Sequence, residues 1–341
     1  MAGQRHTLIV PGSVLLALMT APGVRAQAGP GSVPQDSATA PPAGLDLYMP
    51  APPGGNRPEV VALGRRLFFD ARLSRDSSVT CSTCHRPDRA FADGMRVAVG
   101  VDGRTGRRNV PALLNRGWAR SFFWDGRAPS LEALVVKPIR SPVEMDLGLD
   151  AAVRRVADDD AYDRAFRAAF GRGPSAEALA RALAAYVRSI RAGDSPFDRF
   201  ATGRADALSA VEREGLDLFR GRARCDRCHT GPLLSDEAFH NTGVAWRDGE
   251  PRDSGRAGVT RQPQDVGAFR TPTLREVART APYMHDGSLA TLEDVVEFYD
   301  RGGHANPYLD PLIRPLDLTA AEKHALVAFL RALTGRIREG N

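Results

Sequence analysis

Two short segments, Cys81-Ser82-Thr83-Cys84-His85 and Cys225-Asp226-Arg227-Cys228-His229, use all 4 cysteines of this 341-residue chain. Both read C-x-x-C-H. Two thiols at this spacing can add to the two vinyl groups of one porphyrin, with the adjoining histidine placed to ligate the iron. Cysteines only two residues apart make poor disulfide partners. The alternative is one zinc site built from two C-x-x-C knuckles, but zinc does not demand a histidine directly after each knuckle. The motifs therefore predict two covalent c-type haems. One is held by Cys81 and Cys84 with His85 on its iron, the other by Cys225 and Cys228 with His229.

The surroundings repeat as well. Gly64-x-x-Leu67-Phe68 precedes the first motif and Gly215-x-x-Leu218-Phe219 the second. Both lie on amphipathic stretches, 59–69 and 208–220, that read as helices leading into the haem motifs. Helical periodicity recurs at 151–170, 176–191, 291–300 and 319–333, while strand-like alternation is scarce. The expected fold is mainly α: two tandem cytochrome c-like domains with long loops, spanning 56–205 and 206–341. The 176–191 helix closes the first domain, and Ser195-Pro196 reads as a break after it. Aromatic residues make up only 7% of the chain, so two porphyrins would supply core that the side chains lack.

Residues 1–26 carry Arg5, an apolar stretch from Leu8 to Met19 interrupted by Pro11, and a Val24-Arg25-Ala26 end. That pattern suits a secretory signal cleaved near Ala26. The stretch is too short to span a bilayer, so no membrane span is expected in the mature chain. Residues 27–55 are rich in Pro, Gly, Ala and Ser and read as a flexible linker. Export to the periplasm is the expected destination. The 46 basic residues are interleaved with 41 acidic ones, which does not indicate nucleic-acid binding.

Two irons in one exported chain allow two readings from different classes. If both are six-coordinate, the protein is an electron carrier; if one is open, it is an enzyme with the other iron relaying electrons. On the residues alone, His240, His285, His304, His324, Met95, Met145 and Met284 are all possible distal ligands. By the same measure Trp124 reads as a core aromatic, Glu144 as a loop carboxylate and Tyr299 as a helix-face aromatic.

Longer motifs carry a resemblance. Asn109-Val110-Pro111-Ala112-Leu113-Leu114-Asn115, Phe123-Trp124-Asp125-Gly126-Arg127-Ala128 and Pro142-Val143-Glu144-Met145 fall in the first half. Phe269-Arg270-Thr271-Pro272-Thr273-Leu274-Arg275 and Thr280-Ala281-Pro282-Tyr283-Met284-His285-Asp286-Gly287 fall in the second. With the two haem motifs, they resemble the bacterial di-haem cytochrome c peroxidases and MauG-type enzymes from about residue 56 to about residue 335. The resemblance implies hydrogen peroxide as oxidant. It puts the peroxidatic haem on His85, the electron-transferring haem on His229, Trp124 between them and Glu144 as the distal acid. It also implies a calcium site at Asn109, Thr280 and Pro282. The electron donor would be a small redox protein, a cytochrome c or cupredoxin, or else a protein substrate.

Some positions differ within that family. Val101 stands where many members carry a switchable distal histidine, which leaves the first iron open. Tyr299 replaces the methionine that many members place on the second iron, as MauG-type members do. Ala223 and Leu134 replace a tryptophan and a glutamine of MauG, which puts its tryptophan-crosslinking task in doubt.

Overall fold

The structure is a computed structural model describing residues 57–340 and Met1; the expected leader 1–26 and linker 27–55 otherwise lie outside the described residues. The helices run in order α1 Pro58–Phe68, α2 Cys81–Cys84, α3 Leu131–Arg140, α4 Leu149–Ala157, α5 Asp160–Phe170 and α6 Ala176–Ser189. They continue as α7 Pro196–Ala201, α8 Ala210–Arg220, α9 Ala257–Thr260, α10 Leu292–Asp300 and α11 Ala320–Arg331. Strands are short: β1 Arg191–Gly193, β2 Phe239–His240, β3 Trp246–Arg247, β4 Glu250–Pro251, β5 Phe269–Arg270 and β6 Arg336–Arg338. They form three antiparallel pairs, β1 with β6, β2 with β5 and β3 with β4. The fold is mainly helical, as the periodicity indicated.

The sequence repeat around each haem motif has a packing counterpart. In the first half α1 crosses α6, and a Cβ on Gly64 would lie 1.9 Å from the carbonyl oxygen of Ala182. In the second half α8 crosses α11, and a Cβ on Gly215 would lie 2.0 Å from the carbonyl oxygen of Ala325. Only glycine allows backbones that close. One turn further on, Phe68 meets Tyr186 edge to face at 5.0 Å, and Phe219 meets Phe329 at 5.1 Å. Each crossing lies within its own hydrophobic cluster, one drawn from Val60 to Ala192 and the other from Leu208 to Leu333.

Local chemistry starts these helices where it does. Ser209 with Glu212 and Thr319 with Glu322 form capping boxes on α8 and α11, while the Ser175 hydroxyl caps α6. The pattern over 151–170 proves to be two helices. Asp159 accepts from the amides of Ala161 and Tyr162, so it caps a new helix instead of continuing the old one. Pro196 opens α7 with Ser195 as its cap, so Ser195-Pro196 marks a new start. Helix α3 was not expected because Pro138 interrupts its pattern. The chain end returns to the first half, where Ile337 of β6 packs on the first cluster. There Tyr186 donates its hydroxyl to Glu339 at 2.6 Å.

Both helix crossings are equally intolerant of a side chain. Gly64→Ala and Gly215→Ala are each expected to lower stability by about 1–3 kcal/mol through overpacking. Chemical denaturation of the purified protein, monitored by circular dichroism, measures it.

Candidate functional site: two cavities with a common wall

Each C-x-x-C-H segment opens onto its own cavity. The first, of about 950 Å3, is lined by Cys81, Cys84 and His85, and also by Trp124, Glu144 and Met145. The second, of about 230 Å3, is lined by Cys225, Cys228, His229, Tyr299, Met284 and His240. The two cysteine pairs therefore do not converge on one metal. The zinc reading fails on this geometry.

The histidines of the two motifs are held alike. His85 Nδ1 lies 3.1 Å from the carbonyl oxygen of Phe91, and His229 Nδ1 lies 3.0 Å from that of Leu234. A carbonyl accepting from Nδ1–H fixes the tautomer and leaves Nε2 as the ligating nitrogen. Burial lowers both histidines, His85 to about 4, which keeps the rings neutral as iron ligation requires. Burial pushes the Cys81 thiol up to about 12, Cys84 to about 11 and Cys225 to about 12. Thioethers carry no charge to desolvate in so buried a place. Cysteine, histidine and cavity thus fit a covalently attached porphyrin in both places.

The expected catalytic residues fall in these cavities. Glu144 lies partly buried in the first, and desolvation raises its carboxyl above the usual range against the opposing pull of Ser141 and Arg127. Leu134 lines the same cavity, while Ala223 lines the second. Val101 is fully buried in the first cluster, with its amide donating to the Glu144 carbonyl at 2.9 Å. Val99 and Gly100 line the cavity beside it. Tyr299 projects from α10 into the second cavity, where burial raises its phenol.

The other distal candidates are accounted for differently. Both nitrogens of His240 face carboxylates, Asp310 at 2.6 Å and Asp236 at 3.0 Å. Beside a free Cys228 thiol and these two acids its ring is pushed up to about 10. His304 Nδ1 is 3.1 Å from the carbonyl oxygen of Trp246. Met95 is exposed, whereas Met145 is buried in the first cavity's wall. His285 stacks on Phe269 with ring centroids 3.6 Å apart and lines both cavities.

One wall serves both cavities. Asn109, Val110, Pro111, Ala112, Trp124 and His285 all line the two. Trp124 donates its indole N–H to the Asn109 carbonyl at 2.9 Å, and the Asn109 amide donates to the His285 carbonyl at 2.8 Å. Asn109 Nδ2 donates to the Met95 carbonyl at 2.8 Å, which turns its Oδ1 away from that bond. Thr280 and Pro282 line the second cavity together with Asn109.

Several polar residues of these walls escaped sequence reasoning. Arg116 and Arg270 also line both cavities, and both bond the buried Glu237. Arg275 clasps Asp198 through both guanidinium ends, at 2.8 and 2.9 Å. Arg108 joins Asp125 to Asp253 at 2.7 Å on each side. The partners are far apart in sequence, and many other arginine–acid pairings were equally available. The motifs Phe123–Ala128, with Asp125, and Phe269–Arg275, with both arginines, offered the signal.

Fold and site together define a di-haem protein. The chain belongs to the family of di-haem cytochrome c peroxidases and MauG, and the family model described as di-haem cytochrome c peroxidase matches residues 58–206. It is 40% identical over 278 residues to the methylamine utilization protein MauG of Methylorubrum extorquens, covering 81% of this chain and 78% of that one. It is 37% identical over 306 residues to the cytochrome-c peroxidase IdrP1 of a Pseudomonas strain, covering 81% of each chain. A solved MauG-like protein associated with microbial copper homeostasis matches with a TM-score of 0.79 at 34% identity, over 89% of this chain and 96% of that one.

The Arg108 network sets an acid limit. Its hydrogen bonds and charge hold Asp125 and Asp253 below the ordinary carboxylate value of 3.8, despite opposing desolvation. A carboxylate depressed in the folded state stabilises above its unfolded pKa, and that contribution is lost as pH falls through the folded value. Stability should therefore fall as pH drops below about 4, the ordinary aspartate range. Arg108→Met should cost about 1–3 kcal/mol at neutral pH, the range for a lost charged hydrogen bond. It should also flatten the acid slope, read from denaturation midpoints across pH.

Proposed function

We propose that this protein is an exported di-haem peroxidase built from two tandem cytochrome c-like domains, 56–205 and 206–341, acting in the periplasm. The observation that carries the reading is the pair of cavities, each opened by a C-x-x-C-H segment, with Trp124 in their common wall. Cys81 and Cys84 hold one haem with His85 on its iron. Cys225 and Cys228 hold the other, ligated by His229 and Tyr299. The first haem, when bound, would supply the two electrons that cleave the O–O bond of hydrogen peroxide, and the reductant would restore them.

Glu144 handles the proton. Its carboxylate takes a proton from hydrogen peroxide and returns it to the departing oxygen, which leaves as water. Burial beside Ser141 and Arg127 suits a group that must hold a proton and release it again. Trp124, which lines both cavities, would pass an electron between them. Tyr299 presents a hard oxygen donor, which favours the oxidised states of the second iron over the reduced one. Asn109, Thr280 and Pro282 are proposed as calcium ligands through side-chain and backbone oxygens.

The reductant is a small redox protein, a cytochrome c or cupredoxin. A second reading is oxidative modification of a partner protein, favoured by the 40% identity to a MauG protein. Ala223 and Leu134 argue against MauG's own tryptophan chemistry. A plain electron carrier is the reading from another class, and peroxide turnover separates it from both enzymes.

Mass spectrometry of denatured mature protein should find two covalent haems, and one after Cys81→Ala with Cys84→Ala. Zinc without covalent porphyrin would end the proposal. Glu144→Gln should keep both haem spectra and slow reaction with peroxide by about 10²–10⁴-fold. In the wild type the rate should rise with pH as Glu144 loses its proton, at a pH above the ordinary glutamate range. Stopped-flow rates across pH should show that rise missing from Glu144→Gln.

A further inference from the structure

The second cavity has a one-sided charge. Among its lining residues are Arg116, Arg224, Arg270, Arg275 and Arg314, with no aspartate or glutamate. Asp198 answers Arg275 from behind. Arg314 is exposed and Arg224 partly so, which lets water screen them. Arg116 and Arg270 have no such relief, with side chains 7% and 3% exposed.

Their partner is Glu237, whose side chain is 5% exposed and which lines neither cavity. Arg116 Nη1 donates to Glu237 Oε1 at 3.2 Å, and Arg270 Nη1 donates to the same oxygen at 3.0 Å. Glu237 Oε2 is buried with no hydrogen-bond partner among the described residues. Arg116 Nη2 also donates to the Ser121 carbonyl at 3.0 Å, and Arg270 Nη1 to that of Thr271 at 3.1 Å. Glu237 itself is held at a φ of 57°, its amide donating to Ser235 Oγ at 3.0 Å. A strained backbone at a non-glycine residue persists where its surroundings fix it.

Two guanidinium groups against one carboxylate leave one uncompensated positive charge in a buried wall. Burying a charge is costly unless an opposite charge meets it. The cluster therefore calls for an anion from the cavity side, and a guanidinium fork matches a carboxylate.

We propose that Arg116 and Arg270 form a carboxylate site for a propionate of the haem in the second cavity, with Glu237 behind them as the positioning residue. This rests on the reading that the cavity holds a c-type haem. The porphyrin's propionates are the carboxylates it brings with it. Glu237 holds the two forks side by side against their mutual repulsion, and the propionate completes the charge balance. The pair then acts on the iron as well as on the porphyrin. A nearby cation favours the state with one more electron, so the site raises the midpoint potential of that haem.

The test is spectroelectrochemistry on the purified holoprotein, with covalent haem counted by mass spectrometry in every variant. Arg116→Met and Arg270→Met should lower the midpoint potential of the haem attached at Cys225 and Cys228. Glu237→Gln, which removes a negative charge, should raise it. Arg270→Lys, which keeps the charge, should stay near the wild type. The propionate bands in resonance Raman spectra should move in Arg270→Met. Where the methionine variants fail to mature, the upward shift in Glu237→Gln and the unmoved potential in Arg270→Lys decide the matter. Unmoved potentials in Arg270→Met or Glu237→Gln, with two haems present, overturn the proposal. So does a shift of the same sign in both, which general disturbance would give. Fewer than two covalent haems in the wild type overturns the haem reading itself, and the propionate site with it.

Discussion

Two glycine-mediated helix crossings set the frame from which the rest of the site hangs. Where α1 meets α6 and α8 meets α11, a backbone carbonyl occupies the space that a Cβ would need. Such contact brings long stretches of helix within van der Waals range and buries one face of each. The aromatic pairs one turn beyond lock the same crossings. Each first helix leads on to its C-x-x-C-H segment, and Cys81 and Cys225 pack against the two clusters. The crossing helices also supply cavity wall, Phe68, Leu183 and Val187 in the first cavity and Leu330 in the second.

The wall common to both cavities is the second organising feature. It joins residues of opposite demands: Trp124 and the backbone of Asn109 in a hydrogen-bonded series, and Arg116 and Arg270 around Glu237. Arg270 ties them together, because its amide donates to the Trp124 carbonyl at 2.8 Å while its side chain reaches Glu237. Moving the arginine therefore moves the tryptophan's backbone. Trp124 and the Arg116–Arg270–Glu237 cluster are thus joined through Arg270 of β5.

Much of this was legible in the chain. The C-x-x-C-H segments announced two porphyrin sites because thioether chemistry tolerates little variation in spacing. The repeated glycine and phenylalanine announced two like helix pairs, and the structure supplies the reason in the Ala182 and Ala325 carbonyls. Helix α3 stayed hidden because Pro138 masked its periodicity, and the single stretch at 151–170 concealed a cap at Asp159. The buried charges were unreadable for a different reason. Arg116 and Glu237 are 121 residues apart, and in a chain with 46 basic and 41 acidic residues no pattern singles out that pair. His240 shows the same limit from the other side: a candidate ligand by residue type, it has both nitrogens engaged by carboxylates.

The central claim is that the two irons are unlike, the one on His85 open and the one on His229 closed by Tyr299. Val101, buried in the first cluster, offers the first iron no ligand, while Tyr299 faces the second cavity. Electron paramagnetic resonance of the diferric protein as isolated reads both ligation states at once. One high-spin and one low-spin haem, with peroxide reacting without prior reduction, is the expected result. Two low-spin haems, with peroxide inert until one electron is added, would contradict it and point to a wall residue such as Met145 closing the first iron.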